Sequence, residues 1–181
     1  MTALSNRLAA LEAKDAARSC LMRYMDLCDV PGSLDDPEQI GTLFTPEATW
    51  EGIGPEYADK FGIARGRSDV VALVSQYLPP AEHFVRNTHL LGSEQIRVDR
   101  GSAHGRWTMH QLSLYTDNTA ELLCARLDID FEITSAPDAT TARMLRFRTQ
   151  RMFAAPLPVE AISHLHRGRH PHATSSKETT T

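Results

Sequence analysis

The stretch HLLGSEQIRVDRGSAHGRW, residues 89–107, contains the pattern that decides the fold. Runs of β-favouring residues lie on either side of DRGS, a turn-like group of charged and small residues. The pattern continues along the chain, with β-rich segments over residues 83–91, 95–98, 103–115, 121–133 and 143–153. The second half of the chain is therefore predicted to form an antiparallel sheet.

The sequence before this region has the period of helices. Between Ser5 and Asp29, apolar residues recur mostly at steps of three or four, until Pro31-Gly32 ends the pattern. A shorter helix is predicted over 37–44, with Asp35 or Asp36 available as its cap.

The segments between that helix and the β-rich half are short. ATWEGI (48–53) is predicted as a strand, 54–66 as a loop and 68–78 as a helix ended by Pro79-Pro80. Helices followed by strands predict an α+β fold, with the helices on one face of a curved sheet.

Length and charge set limits on the class of protein. A chain of 181 residues with 41% hydrophobic and 23% charged residues is typical of one globular domain. The net charge of -4 argues against nucleic acid as a partner, because phosphate binding needs a concentrated basic surface. No apolar run approaches the length of a membrane span, and no signal peptide is evident, so we expect a cytoplasmic protein that binds no membrane.

Cysteine and histidine spacing gives no metal site. Cys20, Cys28 and Cys124 are an odd number without C-x-x-C spacing, so they are predicted to be reduced, buried thiols. The histidines of HLHRGRHPH (164–172) lie in a polar stretch without apolar periodicity, and 161–181 is predicted to be a flexible tail. The domain is therefore predicted to cover residues 1–160.

Several of these segments resemble a known family when taken in order. They are a helix ending in Y-x4-D, LFTPEATWEG (43–52), GR before a helix, residues 89–107, ARLDIDFEI (125–133) and RMLRFRTQRMF (143–153). Together they resemble the SnoaL-like domains of the nuclear-transport-factor-2-like superfamily over about residues 5–155. The resemblance implies a cone: a strongly bent antiparallel sheet closed by helices around a deep apolar pocket.

Within that superfamily the sequence is most similar to cofactor-free lyases. These include scytalone dehydratase, bile-acid dehydratase, hexachlorocyclohexane dehydrochlorinase and formaldehyde-releasing aromatic lyases. The resemblance implies that His89 is a catalytic base and that Asp29, at the end of the first helix, orients it. It also implies that Tyr24 points into the pocket, and it suggests His110 as a second polarising group.

The remaining candidates are pocket-wall residues. The pocket is predicted to be lined by Trp50, Phe44, Phe84 and Trp107. In some relatives an arginine of the last strand lies near the leaving group, and Arg146 or Arg148 could occupy that position here.

Three further points stay open in the sequence. Alternation on the strand 103–115 puts Trp107 and Met109 on one face and His110 on the other, without saying which face lines the pocket. Asp128 and Asp130 are predicted to face solvent and to form cross-strand ion pairs. His83 is a second choice of base.

These observations predict a cofactor-independent lyase that acts on a small, apolar, cyclic or aromatic molecule. An imidazole base is available at neutral pH, because the ordinary pKa of histidine lies near it. A non-catalytic small-molecule binder, or an isomerase or cyclase with the same base, are the alternatives. We expect a homodimer or homotrimer, as is common among the relatives.

Overall fold

The structure is a computed structural model that describes residues 2–31, 37–78 and 82–159. The proposed caps Asp35 and Asp36 and the predicted tail, 161–181, lie outside these residues. Three α-helices and six strands form the described fold. The helices are α1 (Ala3–Cys28), α2 (Gly54–Phe61) and α3 (Arg67–Val74), with 3-10 helices at Pro37–Leu43 and Ser75–Tyr77. The strands are β1 (Phe44–Ile53), β2 (Ile63–Arg65), β3 (Phe84–Asp99), β4 (Ser102–Tyr115), β5 (Ala120–Ser135) and β6 (Thr140–Pro156).

The six strands make a single open sheet in the order β2-β1-β6-β5-β4-β3. The four long strands of the second half follow one another as an antiparallel meander, as the turn-like sequences between them predict. β1 departs from the expected antiparallel pattern, because it runs parallel to β6. The sheet is therefore mixed, and the predicted α+β class with helices on a curved sheet is confirmed.

Helix α1 buries only its C-terminal part. Thr2 caps the start by accepting a hydrogen bond from the backbone N–H of Ser5. Leu8 and Leu11 belong to the apolar periodicity of the sequence, yet both are more than half exposed. The buried part packs against the long strands of the sheet, and it is formed by Ala13, Ala17, Cys20, Leu21, Tyr24, Met25 and Leu27. The buried part of α1 therefore lies toward its C-terminal end, just before Asp29.

The segment 54–66, predicted as a loop, contains helix α2 and strand β2. Gly52 allows α2 to pack closely on β1, because a Cβ at this position would lie 2.2 Å from the carbonyl oxygen of Tyr57. The prediction of a loop was wrong because Gly and Pro at 54–55 start the helix here and Gly62 ends it. As a result Tyr57 and Phe61 lie above the inner face of the sheet.

The described residues also bear on the predictions about the cysteines and about membrane spans. All three cysteines are free thiols; Cys20 and Cys124 are buried and Cys28 is half-buried. None of the helices in the described part of the chain is long and apolar enough to cross a membrane.

Candidate active site

A cavity of about 240 Å³ lies between the inner face of the sheet and the helices. Its walls are mostly aromatic and aliphatic, with contributions from α1, α2 and strands β1 and β3–β6. The apolar part of the wall is formed by Tyr24, Met25, Trp50, Tyr57, Phe61, Tyr77, Phe84, Met109, Leu123, Leu127 and Phe147. A space of this kind suits a small molecule with an apolar body.

His89 lines this cavity and is paired with Asp29. The distance from His89 Nδ1 to Asp29 Oδ1 is 2.7 Å, and the imidazole is only 9% exposed. The same carboxylate oxygen accepts the backbone N–H of His89 at 2.9 Å, and the Thr88 hydroxyl donates to the other oxygen at 3.3 Å. Three donors therefore hold the carboxylate of Asp29 in one orientation.

The backbone explains how two residues sixty positions apart meet. Helix α1 ends at Cys28, and Asp29 takes an extended conformation with ψ of 151°. Val30 then forms an antiparallel bridge with Asn87 of β3, with hydrogen bonds of 2.8 and 2.9 Å. This bridge places Asp29 beside His89, two residues further along β3. The helix break predicted near Pro31 is thus what allows Asp29 to turn away from the axis of α1.

The hydrogen bond to Asp29 sets the tautomer of His89. An ionised carboxylate only accepts hydrogen bonds, so the hydrogen shared between His89 and Asp29 must be bound to Nδ1. Nε2 of the neutral ring then has a free lone pair and can accept a proton. The pair therefore has the arrangement of a histidine base with an orienting carboxylate.

Tyr24 lies on the cavity wall in an aromatic cluster. Its hydroxyl oxygen accepts a hydrogen bond from Trp50 Nε1–H at 3.2 Å, and Trp50 stacks on Phe147 at 5.4 Å between ring centroids. Burial raises the pKa of Tyr24 well above its ordinary value, with the nearby Cys28 thiol adding to the effect. Because Tyr24 stays protonated and its oxygen accepts from Trp50, its O–H is a donor, and the Cys28 sulfur is one acceptor within its reach.

A buried amide network supports the wall beside His89. Asn87 Oδ1 accepts hydrogen bonds from Gln111 Nε2 at 2.9 Å and from the Ser113 hydroxyl at 2.8 Å. Asn87 Nδ2 donates to the carbonyl of Cys28 at 3.3 Å, at the end of α1. Gln111 lies opposite His89 in the β3–β4 register and lines the cavity. The network fixes both the helix end and the amide of Gln111.

One part of the cavity wall is polar. Glu121 accepts hydrogen bonds from Tyr115 Oη at 3.4 Å and from Arg151 Nη2 at 3.3 Å. Arg151 Nη1 also pairs with Glu56 at 3.0 Å. Burial raises the pKa of Tyr57 to about 12 against the opposing effect of Arg151, so this phenol is protonated at neutral pH.

Of the predicted pocket-wall residues, Trp50 and Phe84 line the main cavity. Phe44 is fully buried beneath Tyr24, with ring centroids 5.9 Å apart, and it belongs to the core. Trp107 lines a second cavity of about 340 Å³ on the other side of His89, where its Nε1–H donates to Glu94 at 3.3 Å. The expectation for Phe44 and Trp107 is corrected accordingly.

His110 and Arg146 are also corrected, because both lie on the outer face of the sheet. Met109 and Gln111 of β4 face the main cavity, so His110 between them points away and lines neither cavity at His89. Arg146 pairs with Asp130 at 2.5 Å on that outer face. This also settles the open question about strand 103–115: the face with Trp107 and Met109 points inward.

The outer face contains the cross-strand ion pairs that the sequence predicted, but Asp128 is buried, at 8% exposure, and does not face solvent as expected. Asp128 accepts hydrogen bonds from Arg106 and Arg148, and Asp130 pairs with Arg146. His104 Nδ1 also lies 2.7 Å from Asp130 Oδ1, so the chain has a second histidine–aspartate pair, on the outer face.

Several cavity residues were not singled out from the sequence. Arg151 could have been found by alternation, because Phe147, Thr149 and Arg151 share the inner face of β6. Tyr57, Lys60 and Phe61 lie in the segment predicted as a loop, so no periodicity pointed to them. Tyr115 and Glu121 sit at the turn between β4 and β5, where the sequence shows only a hairpin.

Comparisons with known proteins agree with this architecture. The model of the SnoaL-like domain family matches residues 9–152, and the chain belongs to this family. No curated protein matches the chain by sequence.

Solved structures with the same fold include three from Novosphingobium. A hexachlorocyclohexane dehydrochlorinase of the LinA-type3 kind from N. barchaimii LL02 is 14% identical, with a TM-score of 0.64, over 83% of this chain and 92% of that one. A putative scytalone dehydratase from N. aromaticivorans is 14% identical, with a TM-score of 0.62, over 80% and 87%. An NTF2-like protein with a cystatin-like fold from N. aromaticivorans is 22% identical, with a TM-score of 0.62, over 82% and 88%. The fold is thus shared with lyases at low sequence identity.

Proposed function

We propose that this protein is a cofactor-independent lyase that acts on a small, largely apolar, cyclic or aromatic molecule. The observation that carries the proposal is the hydrogen bond of 2.7 Å between His89 and Asp29 on the wall of an apolar cavity. The lyases among the structures with this fold add support from a different direction.

In the proposed reaction, His89 Nε2 removes a proton from a carbon of the substrate. The electron pair of the broken C–H bond forms a new double bond, and the leaving group departs from the neighbouring carbon with its own bonding pair. Asp29 holds the ring in the required tautomer and stabilises the imidazolium that forms. General-base catalysis of this kind contributes about 10²–10⁴-fold to a rate.

Tyr24 supplies the polarising hydrogen bond in this scheme. Its O–H donates to an oxygen on the substrate, such as a departing hydroxyl, while Trp50 fixes the position of the phenol. Desolvation in the aromatic cluster strengthens this hydrogen bond relative to one made in water.

The test is turnover and product mass on a panel of cyclic and aromatic alcohols and halides. Loss of water or of hydrogen halide in the product identifies the proposed elimination, whereas loss of formaldehyde would identify a lyase that breaks a C–C bond instead. His89→Ala should lower turnover about 10²–10⁴-fold, and Asp29→Asn should lower it as well. His104→Ala is the matched control, because it removes the histidine of the outer histidine–aspartate pair; it should leave turnover unchanged.

Other products would contradict the proposal in recognisable ways. A product of unchanged mass would identify an isomerase or cyclase with the same base. Tight binding of a compound that is recovered unchanged would identify a binding protein. Full turnover by folded His89→Ala would exclude His89 as the base.

A further inference from the structure

A polar cluster on the wall of the main cavity indicates a feature of the substrate beyond its apolar body. The cluster consists of Tyr115, Glu121 and Arg151, and all three side chains line the cavity. It lies away from His89: Gln111 is opposite His89 in the register, and Tyr115 is four residues further along the same face of β4. Four residues of a strand span about 13 Å.

The hydrogen bonds inside this cluster leave capacity for a ligand. Both bonds to Glu121 are long, at 3.3 and 3.4 Å, and each carboxylate oxygen can accept more than one donor. The guanidinium of Arg151 has five N–H groups, and its contacts with Glu56 and Glu121 use its two Nη atoms. The cluster therefore offers an acceptor and a donor side by side, and a hydroxyl group needs both.

The charge of the cluster disfavours an anion. Arg151 lies between two carboxylates, Glu56 at 3.0 Å and Glu121 at 3.3 Å, so its positive charge is already balanced. The other basic groups on the wall apart from His89 are exposed: Lys60 has its ammonium 5.0 Å from the ring centroid of Phe61, and His83 lies beside Phe84 with ring centroids 4.1 Å apart. A carboxylate or phosphate beside Glu121 would be repelled, whereas a neutral hydroxyl would not.

We propose that Tyr115, Glu121 and Arg151 bind a neutral hydroxyl group, phenolic or alcoholic, at the end of the substrate away from the reacting carbon. The substrate is then an uncharged, elongated molecule of about two ring lengths. The proposal rests on the proposed function only in treating this cavity as the substrate site, and binding can be measured without turnover.

The experiment is equilibrium dialysis of the full chain with three probes: 4-hydroxybiphenyl, biphenyl and biphenyl-4-carboxylate. The hydroxylated probe should bind about 10-fold more tightly than the other two, because a hydrogen bond to a charged group is worth at least that factor. Glu121→Gln should remove most of this preference and leave the binding of biphenyl unchanged. Tyr115→Phe, a second conservative variant, should also reduce the preference for the hydroxylated probe.

Two controls separate this proposal from the catalytic one. Glu132→Gln removes a glutamate of the same strand that is also paired with an arginine, Arg143 at 3.0 Å, and should keep the preference. His89→Ala should keep it too, even if turnover is lost. Equal binding of biphenyl and 4-hydroxybiphenyl, tighter binding of the carboxylate, or no binding of any probe would overturn the proposal. A hydroxyl preference in a protein without turnover would overturn only the proposed function.

Discussion

Two histidines of this chain pair with an aspartate through Nδ1 in different surroundings, and Nε2 of His104 also lies 3.6 Å from Asp128 Oδ2. His89 and His104 each place Nδ1 2.7 Å from an aspartate oxygen. The imidazole of His89 is 9% exposed on an apolar cavity, whereas that of His104 is 36% exposed among ion pairs on the outer face of the sheet. The imidazole of His89 is thus largely shielded from water beside an apolar cavity. The surroundings, not the hydrogen bond to Nδ1, therefore distinguish the two histidines, and they support the proposal that His89 is the base.

The arginines of β6 show how far single residues could be predicted. RMLRFRTQRMF contains four arginines at irregular spacing, and composition alone does not say which one faces inward. The inner face follows from the parity of Phe147, which is buried, and Arg151 shares that parity. Arg146 falls on the outer face, because it directly precedes Phe147 and successive side chains of a strand point to opposite faces. His89 and Asp29 were predicted because the family resemblance supplied a long-range pairing that alternation cannot give.

At the scale of elements, the position of α2 depends on the missing side chain of Gly52. Gly52→Ala would place a Cβ 2.2 Å from the backbone oxygen of Tyr57 and 3.0 Å from Phe61 Cβ, so α2 must move. We expect a loss of about 1–3 kcal/mol in the free energy of unfolding, as for other overpacked sites. Urea unfolding of the wild type and of Gly52→Ala measures this loss of stability.

Gly41→Ala is the matched control for this substitution. The added Cβ would meet Val71 Cγ2 at 3.4 Å, an ordinary contact, so stability should change by about 0.5 kcal/mol or less. If Gly52→Ala were as stable as Gly41→Ala, close packing would not be what positions α2 over the cavity.

Helices and strands were predicted correctly where the hydrophobic periodicity agreed with the residues that end an element. The β-rich segments of the second half and the end of α1 follow from alternation and from Pro31. The parallel pairing of β1 with β6 could not be predicted, because a strand has the same alternation whichever way its neighbour runs. Helix α2 has eight residues, which is too short for its period to stand out between glycines.

At the scale of the whole molecule, the outer ion pairs tie the three central strands together. Asp128 of β5 accepts hydrogen bonds from Arg106 of β4 and Arg148 of β6. Burial on its own raises the pKa of Asp128, but the hydrogen bonds and charges of these arginines outweigh it and hold the pKa below its ordinary value of 3.8. The carboxylate is therefore stabilised in the folded chain.

This lowered pKa predicts a pH-dependent stability difference between the wild type and Asp128→Asn. The stabilisation is complete above the unfolded pKa and disappears as the pH falls through the lower, folded pKa. At neutral pH we expect Asp128→Asn to lose about 2 kcal/mol in the free energy of unfolding, the value of a hydrogen bond to a charged group. Chemical unfolding at several pH values measures the difference, which should shrink in acid.

The control for this prediction is Asp26→Asn. Asp26 is 53% exposed and pairs with Arg23 at 3.6 Å, so its contribution should be about 1 kcal/mol or less. A difference for Asp128→Asn that stays constant down to strongly acidic pH would contradict the account of the outer ion pairs.

The central claim is that Asp29 holds His89 in the tautomer of a base, and the ¹⁵N chemical shifts of the imidazole test it without a substrate. At a pH where the ring is neutral, with the His89 signals assigned from their loss in His89→Ala, we predict a protonated Nδ1 and an unprotonated Nε2. Asp29→Asn should reduce the preference for this tautomer. A proton on Nε2 of the neutral ring in the wild type would contradict the account, because Nε2 could then not accept a proton from a substrate.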